Sequence, residues 1–166
     1  MVHFARPVTV HRYLNLLETS YQLVRLPAYT VNQTTRLIKT PKLYWNDVAL
    51  SLYLSGETQP RGGHLENFVL SDLIAWRDST VPRPQIMYWR TTNTDAEIDF
   101  VIEQGQTLLP VEIKSTTNPG PKDGAVLELF LRQYGDRVPG GLLLYGGERT
   151  FWIKPRVLAV PWWKVL

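Results

Sequence analysis

Glu97-Ile98-Asp99-Phe100-Val101, followed after a short turn by Val111-Glu112-Ile113-Lys114-Ser115, is the stretch that decides how this chain folds. Each half is a short apolar strand with charge at alternate positions. Side chains in a strand alternate faces, so Glu112 and Lys114 are predicted to point one way and Val111 and Ile113 the other. Asp99 is expected to stand in the same relation to Ile98 and Phe100. Carboxylates and a lysine on one face of an otherwise buried sheet are costly to desolvate, and a bound cation would offset that cost. A metal site is therefore the first expectation.

The strands on either side extend this pattern. Ile86–Thr91, Ala96–Glu103 and Leu108–Ser115 read as three strands, separated by connections short enough for hairpins. Before them, Gly63–Trp76 carries the stripe Glu66, Val69, Leu70, Leu73 at helical spacing, so Glu66 opens the face that should be buried and needs a partner there. After them, the Pro- and Gly-containing loop 116–124 leads into a helix from about Ala125 to Tyr134, with Val126, Leu127, Phe130 and Leu131 on one side. Leu142–Tyr145 is a continuous apolar run of the kind found in strands covered on both faces, and 149–154 and 157–160 supply a last strand or two. Residues 64–166 thus read α, β, β, β, α, β, β, an α+β arrangement with a mixed sheet. Trp162-Trp163 is expected to plug the end of the core rather than to stack on a ligand.

The basic charge is concentrated at one end. Residues 1–45 hold six Lys/Arg against Glu18 alone, a net +5, while residues 46–166 carry −2. The basic end is the expected contact for phosphate backbones. Here Val10, Tyr13, Leu14, Leu17 and Tyr21 mark an amphipathic helix, and Arg36–Trp45 reads as a strand leading out of a hairpin, with Arg36, Lys39 and Lys42 placed to touch nucleic acid. Helix plus basic hairpin is the second half of a winged helix, so this unit is incomplete. A short helix capped by Asn46 or Asp47 follows. The division predicted is residues 1–56 as the partial winged-helix region and 57–166 as the main domain.

Composition narrows the chemistry. The chain has 166 residues and no cysteine, so thiolate metal sites, disulfides and cysteine nucleophiles are excluded and any metal must sit on oxygen or histidine. No stretch approaches the length of apolar sequence that spans a bilayer, and no signal-peptide pattern opens the chain, which leads us to expect a cytoplasmic protein without a membrane partner. His3, His11 and His64 lack zinc spacing.

Glu66, Asp99, Glu112 and Lys114 should therefore converge. Asp99 and Glu112, with the backbone carbonyl of Ile113, form a sufficient protein contribution to a hard cation such as Mg²⁺ or Mn²⁺. Lys114 on the same face can orient a water or stabilise charge developing on a phosphate.

Asp99, twelve intervening residues, then Glu112-Ile113-Lys114 resembles the D-x(n)-E-x-K signature of the PD-(D/E)XK nucleases, whose restriction-endonuclease-like fold has an αβββαβ core. More closely, Arg36–Asp47, Gly63–Val69, Tyr88-Trp89-Arg90, Glu97–Val101 and Val111–Ser115 are similar to the uncharacterised C-terminal region of a family of prokaryotic AAA-type ATPases, in which a winged-helix remnant joins a nuclease-like domain. The resemblance spans most of the chain. It implies a shared site of Glu66, Asp99, Glu112 and Lys114, with Gln133 and Glu97 as accessory candidates. The chain departs from that family in carrying no G-x-x-x-x-G-K-[ST], so no nucleotide cofactor is expected. The implied function is a divalent-metal-dependent phosphodiester hydrolase acting on nucleic acid, DNA before RNA, with a homodimer as a plausible form. The alternative is a catalytically silent binding module attached to an ATPase or another partner protein, its charged cluster a plain ion-pair network.

Overall fold

The computed structural model describes residues 7–31, 40–91 and 96–165. Helix α1 (Pro7–Thr19) leads into β1 (Leu23–Leu26), which pairs antiparallel with β2 (Lys42–Trp45), Leu23 facing Trp45 and Leu26 facing Lys42. The expected hairpin thus has its two strands, while Arg36 and Lys39 lie outside the described residues. Tyr21, expected on the helix, falls beyond its end with a positive φ and an exposed ring. Helix α2 (Val48–Ser55) is capped by Asp47, whose Oδ1 accepts the Leu50 N–H at 3.0 Å. It stops at Gly56, where φ of 68° is a left-handed conformation that favours glycine.

The main sheet begins after α3 (Gly62–Ser79). Strands β3 (Gln85–Arg90), β4 (Glu97–Gln104) and β5 (Thr107–Lys114) form an antiparallel meander, α4 (Ala125–Tyr134) crosses over, and β6 (Gly141–Tyr145) joins β5 in parallel. Hairpin strands β7 (Phe151–Lys154) and β8 (Val157–Pro161) complete a six-stranded mixed sheet in the order β3-β4-β5-β6-β8-β7, with β8 parallel to β6. Antiparallel neighbours need only tight turns, whereas the parallel β5–β6 pair needs the crossover that α4 supplies. From Gly62 onward the order is α, β, β, β, α, β, β, β: an α+β fold as the hydrophobic periodicities require.

Each sheet face has its own core. One is built on α4, whose Leu127, Phe130 and Leu131 recur at i, i+3, i+4 and pack with Tyr29, Trp89, Ile98, Val101, Leu143 and Ala159. The other is built on α3 and the small sheet, where Val69 and Leu70 meet Leu26, Tyr44, Phe100, Val111, Ile113 and Leu144. Of the expected Trp162-Trp163 plug, Trp162 packs against this second core with its ring edge-on to Phe68 at 5.4 Å, whereas Trp163 stays half exposed.

The N-terminal segment is stitched to the main sheet. Ala28 forms a parallel bridge with Tyr88 of β3, Tyr29 N–H donates to the Tyr88 carbonyl at 2.5 Å, and Tyr88 Oη donates to the Thr40 carbonyl at 2.6 Å. This covers the edge strand β3, which would otherwise offer unpaired backbone groups. Asn67, a buried amide on α3, donates to the Trp45 carbonyl at 2.6 Å and ties the helix to β2. Among the described residues, no helix is long and apolar enough to cross a membrane.

Phe130 has no exposed surface and its ring meets those of Tyr29, Trp89 and Tyr134 at centroid distances of 4.4–6.2 Å. Phe130→Ala is therefore expected to cost about 3–5 kcal/mol in urea unfolding. Phe151→Ala, at a ring 37% exposed, should cost under about 1 kcal/mol.

Candidate active site

The site forms where β4 and β5 part. Their ladder runs regularly from Gln104 opposite Thr107 to Phe100 opposite Val111. At the next residue the Asp99 side chain enters the ladder, its Oδ2 accepting the Ile113 N–H at 2.9 Å. On the other edge of β4, Met87 faces Val101 but Trp89 faces Ile98, so β4 carries one more residue than β3 across this interval. That is a β-bulge, a device that re-aims side chains beside functional sites. It overturns strict alternation for this strand: Ile98 and Val101 lie in the α4-side core, while Phe100 and Ile102 lie in the α3-side core.

In β5 the alternation holds. Glu112 and Lys114 face Leu143 and Tyr145 of β6, and Lys114 Nζ donates to Glu112 Oε1 at 2.7 Å. Asp99 is 8% exposed and Glu112 5%, the two buried acids among the described residues. Glu112 Oε2 is buried and has no hydrogen-bond partner. Burial, then the neighbouring Asp99 charge, pushes the Glu112 carboxyl up to about 7 against the pull of Lys114 and of the Asp99 backbone N–H. Burial also raises Asp99, restrained by the Ile113 N–H and by the Lys42 and Lys114 charges. Lys114 is drawn down by its own burial, but its bond to Glu112 and the charges of Glu112, Asp99 and Asp123 outweigh this and hold it above the ordinary lysine value.

A second group of charges reaches Asp99 from α3 and β2. Tyr44 Oη donates to Glu66 Oε2 at 3.3 Å. Burial and then the Asp99 charge raise Glu66, while Lys42 and Tyr44 hold it back. The Tyr44 hydroxyl is pushed far above the usual phenol range, first by burial and then by Glu66 and Asp99, so it stays a proton donor. Lys42, expected on a wing facing nucleic acid, turns instead into this cluster. Its Nζ pairs with Glu97 Oε1, stands 3.7 Å from Asp99 Oδ1 and lies over the Tyr88 ring. Burial alone would lower Lys42, but the Glu97 bond and the charges of Asp99, Glu97 and Glu66 raise it overall.

Glu66, Asp99, Glu112 and Lys114 are thus linked through Asp99, and Glu97 joins them by way of Lys42. Lys42 and Tyr44 are the members whose part sequence reasoning missed. Their i, i+2 spacing on a strand was a usable signal for a shared face, but only the docking of β2 against α3 and β4 shows which face. Gln133 is exposed on α4 and donates to Tyr134 Oη at 3.3 Å, and it makes no hydrogen bond to any of the acids among the described residues. His64 accepts the Arg61 N–H at 3.0 Å at the start of α3. Ile113, expected to offer its carbonyl to a cation, sits opposite Leu144 in the β5–β6 ladder.

Among the described residues, no three His, Asp or Glu side chains stand together as a ready metal cage. The fit to a hard cation rests on two carboxylates, Asp99 and Glu112. The unpartnered Glu112 Oε2 is an oxygen such an ion would satisfy, and both donors are of the hard type that Mg²⁺ and Mn²⁺ prefer.

Residues 61–165 match the family described as a domain of unknown function, DUF4143. The chain belongs to the DUF4143 family. Residues 4–61 match a second family with the same description, DUF8612. The uncharacterized proteins Mb2031c of Mycobacterium bovis and Rv2008c of Mycobacterium tuberculosis are each similar, 31% identical over 164 residues, which covers 92% of this chain and 34% of theirs. The chain therefore spans about a third of the length of these curated relatives. No solved structure matches it. Glu66, Asp99, Glu112 and Lys114 fall inside the DUF4143 match and Lys42 and Tyr44 inside the DUF8612 match, so the candidate site draws on both regions.

A carboxyl group whose pKa is raised by folding holds its proton more tightly in the fold than in the unfolded chain. Its stabilising contribution is complete below the ordinary value of 4.5 and is lost as pH rises through about 7. Glu112→Gln lacks this titration. Its stability relative to the parent should rise between about pH 5 and 8, by on the order of 3 kcal/mol, in urea unfolding measured across that range. A pH-independent difference would mean that Glu112 titrates normally.

Proposed function

We propose that the chain is a divalent-cation-dependent phosphodiester hydrolase of the PD-(D/E)XK kind, acting on nucleic acid. One observation carries this reading: Glu112 Oε2, a buried carboxylate oxygen without a partner, lies in a pair with the buried Asp99. A buried acceptor left unsatisfied is costly, and a cation shared by the pair would remove the cost. Asp99 and Glu112 would hold it, with water in its remaining positions. When bound, a Mg²⁺ or Mn²⁺ ion supplies Lewis acidity to a phosphoryl oxygen and lowers the pKa of an attached water.

The chain's own groups have distinct tasks in this reading. The Ile113 N–H fixes one oxygen of Asp99, so that carboxylate is held in one orientation. Lys114, anchored to Glu112 Oε1, keeps a full positive charge beside the pair and can stabilise negative charge developing on phosphate. Tyr44 orients Glu66, whose raised pKa suits it to carry a proton nearer neutrality than an ordinary carboxylate. The αβββαβ order and the D-x(12)-E-x-K spacing, similar to the restriction-endonuclease-like fold, support the same reading.

Lys42 favours a second reading. Lys42 and Lys114 already place two internal cations among Glu66, Glu97, Asp99 and Glu112. The chain would then be a catalytically silent accessory module of an AAA-type ATPase that binds nucleic acid or protein, its ion pairs maintaining the fold.

The test incubates the chain with plasmid, linear duplex, single-stranded DNA and RNA in the presence of Mg²⁺, Mn²⁺ or EDTA. The hydrolase reading expects cleavage that needs the cation and falls at least about 100-fold in Asp99→Ala, Glu112→Ala and Lys114→Ala. Undiminished cleavage in those variants would place the reaction elsewhere. The silent module predicts no cleavage, and no rise in melting temperature on adding Mn²⁺.

A further inference from the structure

Beyond the acid cluster, the carboxyl ends of β5, β6 and β8 lie side by side, Lys114 opposite Tyr145 and Tyr145 opposite Pro161. They open into a cleft of about 940 Å³, lined among others by Thr117, Asn118, Gly147, Arg149, Thr150 and Lys164. Such crevices beyond the carboxyl ends of parallel strands are where open α/β sheets hold ligands. Thr117 stands three residues beyond Lys114, so the cleft begins where the acid cluster ends.

In the loop between β6 and β7 three successive carbonyls are engaged, while two of the N–H groups are not. The Gly147 carbonyl accepts from Trp163 Nε1 at 3.3 Å, the Glu148 carbonyl from Lys164 Nζ at 3.0 Å and the Arg149 carbonyl from Tyr145 Oη at 2.5 Å. The Gly146 N–H donates to the Thr116 carbonyl at 2.9 Å, and the Arg149 N–H to Tyr145 Oη at 3.1 Å. The N–H groups of Gly147 and Glu148 donate to no acceptor among the described residues. A Cβ on Gly147 would collide with the Tyr145 ring and lie 2.6 Å from the Thr117 carbonyl oxygen, so the loop packs here too closely for any residue but glycine. Arg149 is exposed, and its guanidinium has no ion-pair partner among the described residues.

A loop with two free amides, an unpaired arginine and a lysine, and with the carbonyls of 147–149 already engaged, suits an anion. Glu148 is the one acid in the lining. We infer that this cleft binds phosphate groups of a polynucleotide, holding the strand that flanks the bond presented to Asp99, Glu112 and Lys114. The choice of a polynucleotide over a smaller phosphate rests on the hydrolase reading above, because the cleft continues from Lys114.

Fluorescence anisotropy of the full chain with labelled DNA and RNA oligonucleotides tests this, with EDTA present so that binding is read without cleavage. Arg149→Ala and Lys164→Gln, the latter keeping a donor for Glu148, should each weaken binding about three- to ten-fold. Arg149→Ala should also flatten the slope of log K against log salt by about one, and Arg149→Lys should restore most of both. Parental affinity and slope in both variants would overturn the inference. So would equal competition by inorganic phosphate or ATP at oligonucleotide-like concentrations, which would make this a small-anion site. Oligonucleotide binding that depends on Arg149, in a chain that cleaves nothing with any cation, would leave the inference standing and remove the hydrolase reading.

Discussion

Two carboxylates buried between sheet strands are the constraint that the rest of this structure answers. An ionised acid taken out of water needs donors or opposite charge at close range, and the apolar neighbours Phe100, Val111, Ile113 and Leu143 provide neither. The answer comes from four directions. The backbone gives Asp99 an N–H from β5, Lys114 closes on Glu112 from two residues away, Lys42 arrives from the small sheet, and Tyr44 steadies Glu66 on α3. The bulge in β4 and the docking of β2 are the backbone adjustments that let these groups reach the same place.

The element order was legible because each segment carries a strong local signal. The alternation in 111–115, the stripe of α4 and the Asp47 cap all depend on neighbours within a few residues, and the structure follows them closely, whereas the alternation in 97–101 gives the strand but breaks at its bulge. The closeness of Asp99 to Glu112 was legible too, since a hairpin register is a nearly local property, while Glu66 reaches Asp99 through its charge alone. Three things were not. The bulge at Asp99 comes from competition between two flanking strands, and no pattern within β4 announces it. Lys42 reads as a nucleic-acid contact of the basic hairpin, because its ion-pair partners Glu97 and Asp99 lie over fifty residues away along the chain. Asn67 and Arg137 are further cases: the first joins α3 to β2, and the second joins the turn after α4 to Tyr29, Gln106 and Glu103, both through contacts distant in sequence.

The acid cluster and the cleft beside it have opposite electrostatic character on adjoining strand ends. One gathers carboxylates, of which Glu66, Asp99 and Glu112 hold protons more tightly than usual; the other has free N–H groups, an arginine and a lysine. The junction is Lys114, which belongs to the first by its bond to Glu112 and borders the second by position. A polyanion could lie along the donor-rich side while only one of its groups approaches the acids, so attraction and chemistry need not be done by the same residues.

The reach of Lys42 has a consequence for how the molecule can be divided. The two family matches meet at residue 61, which invites cutting there. A polypeptide started at that point would retain all four carboxylates and lose one of their two ammonium groups, together with the phenol that steadies Glu66. Its formal cluster charge would change from −2 to −3, and the edge of β3 would lose its bridge to Ala28. Such a fragment would be a different electrostatic object from the same residues in the longer chain, and its behaviour towards cations or polyanions would not carry over. The family boundary marks a seam in sequence space that the physics of the site does not observe.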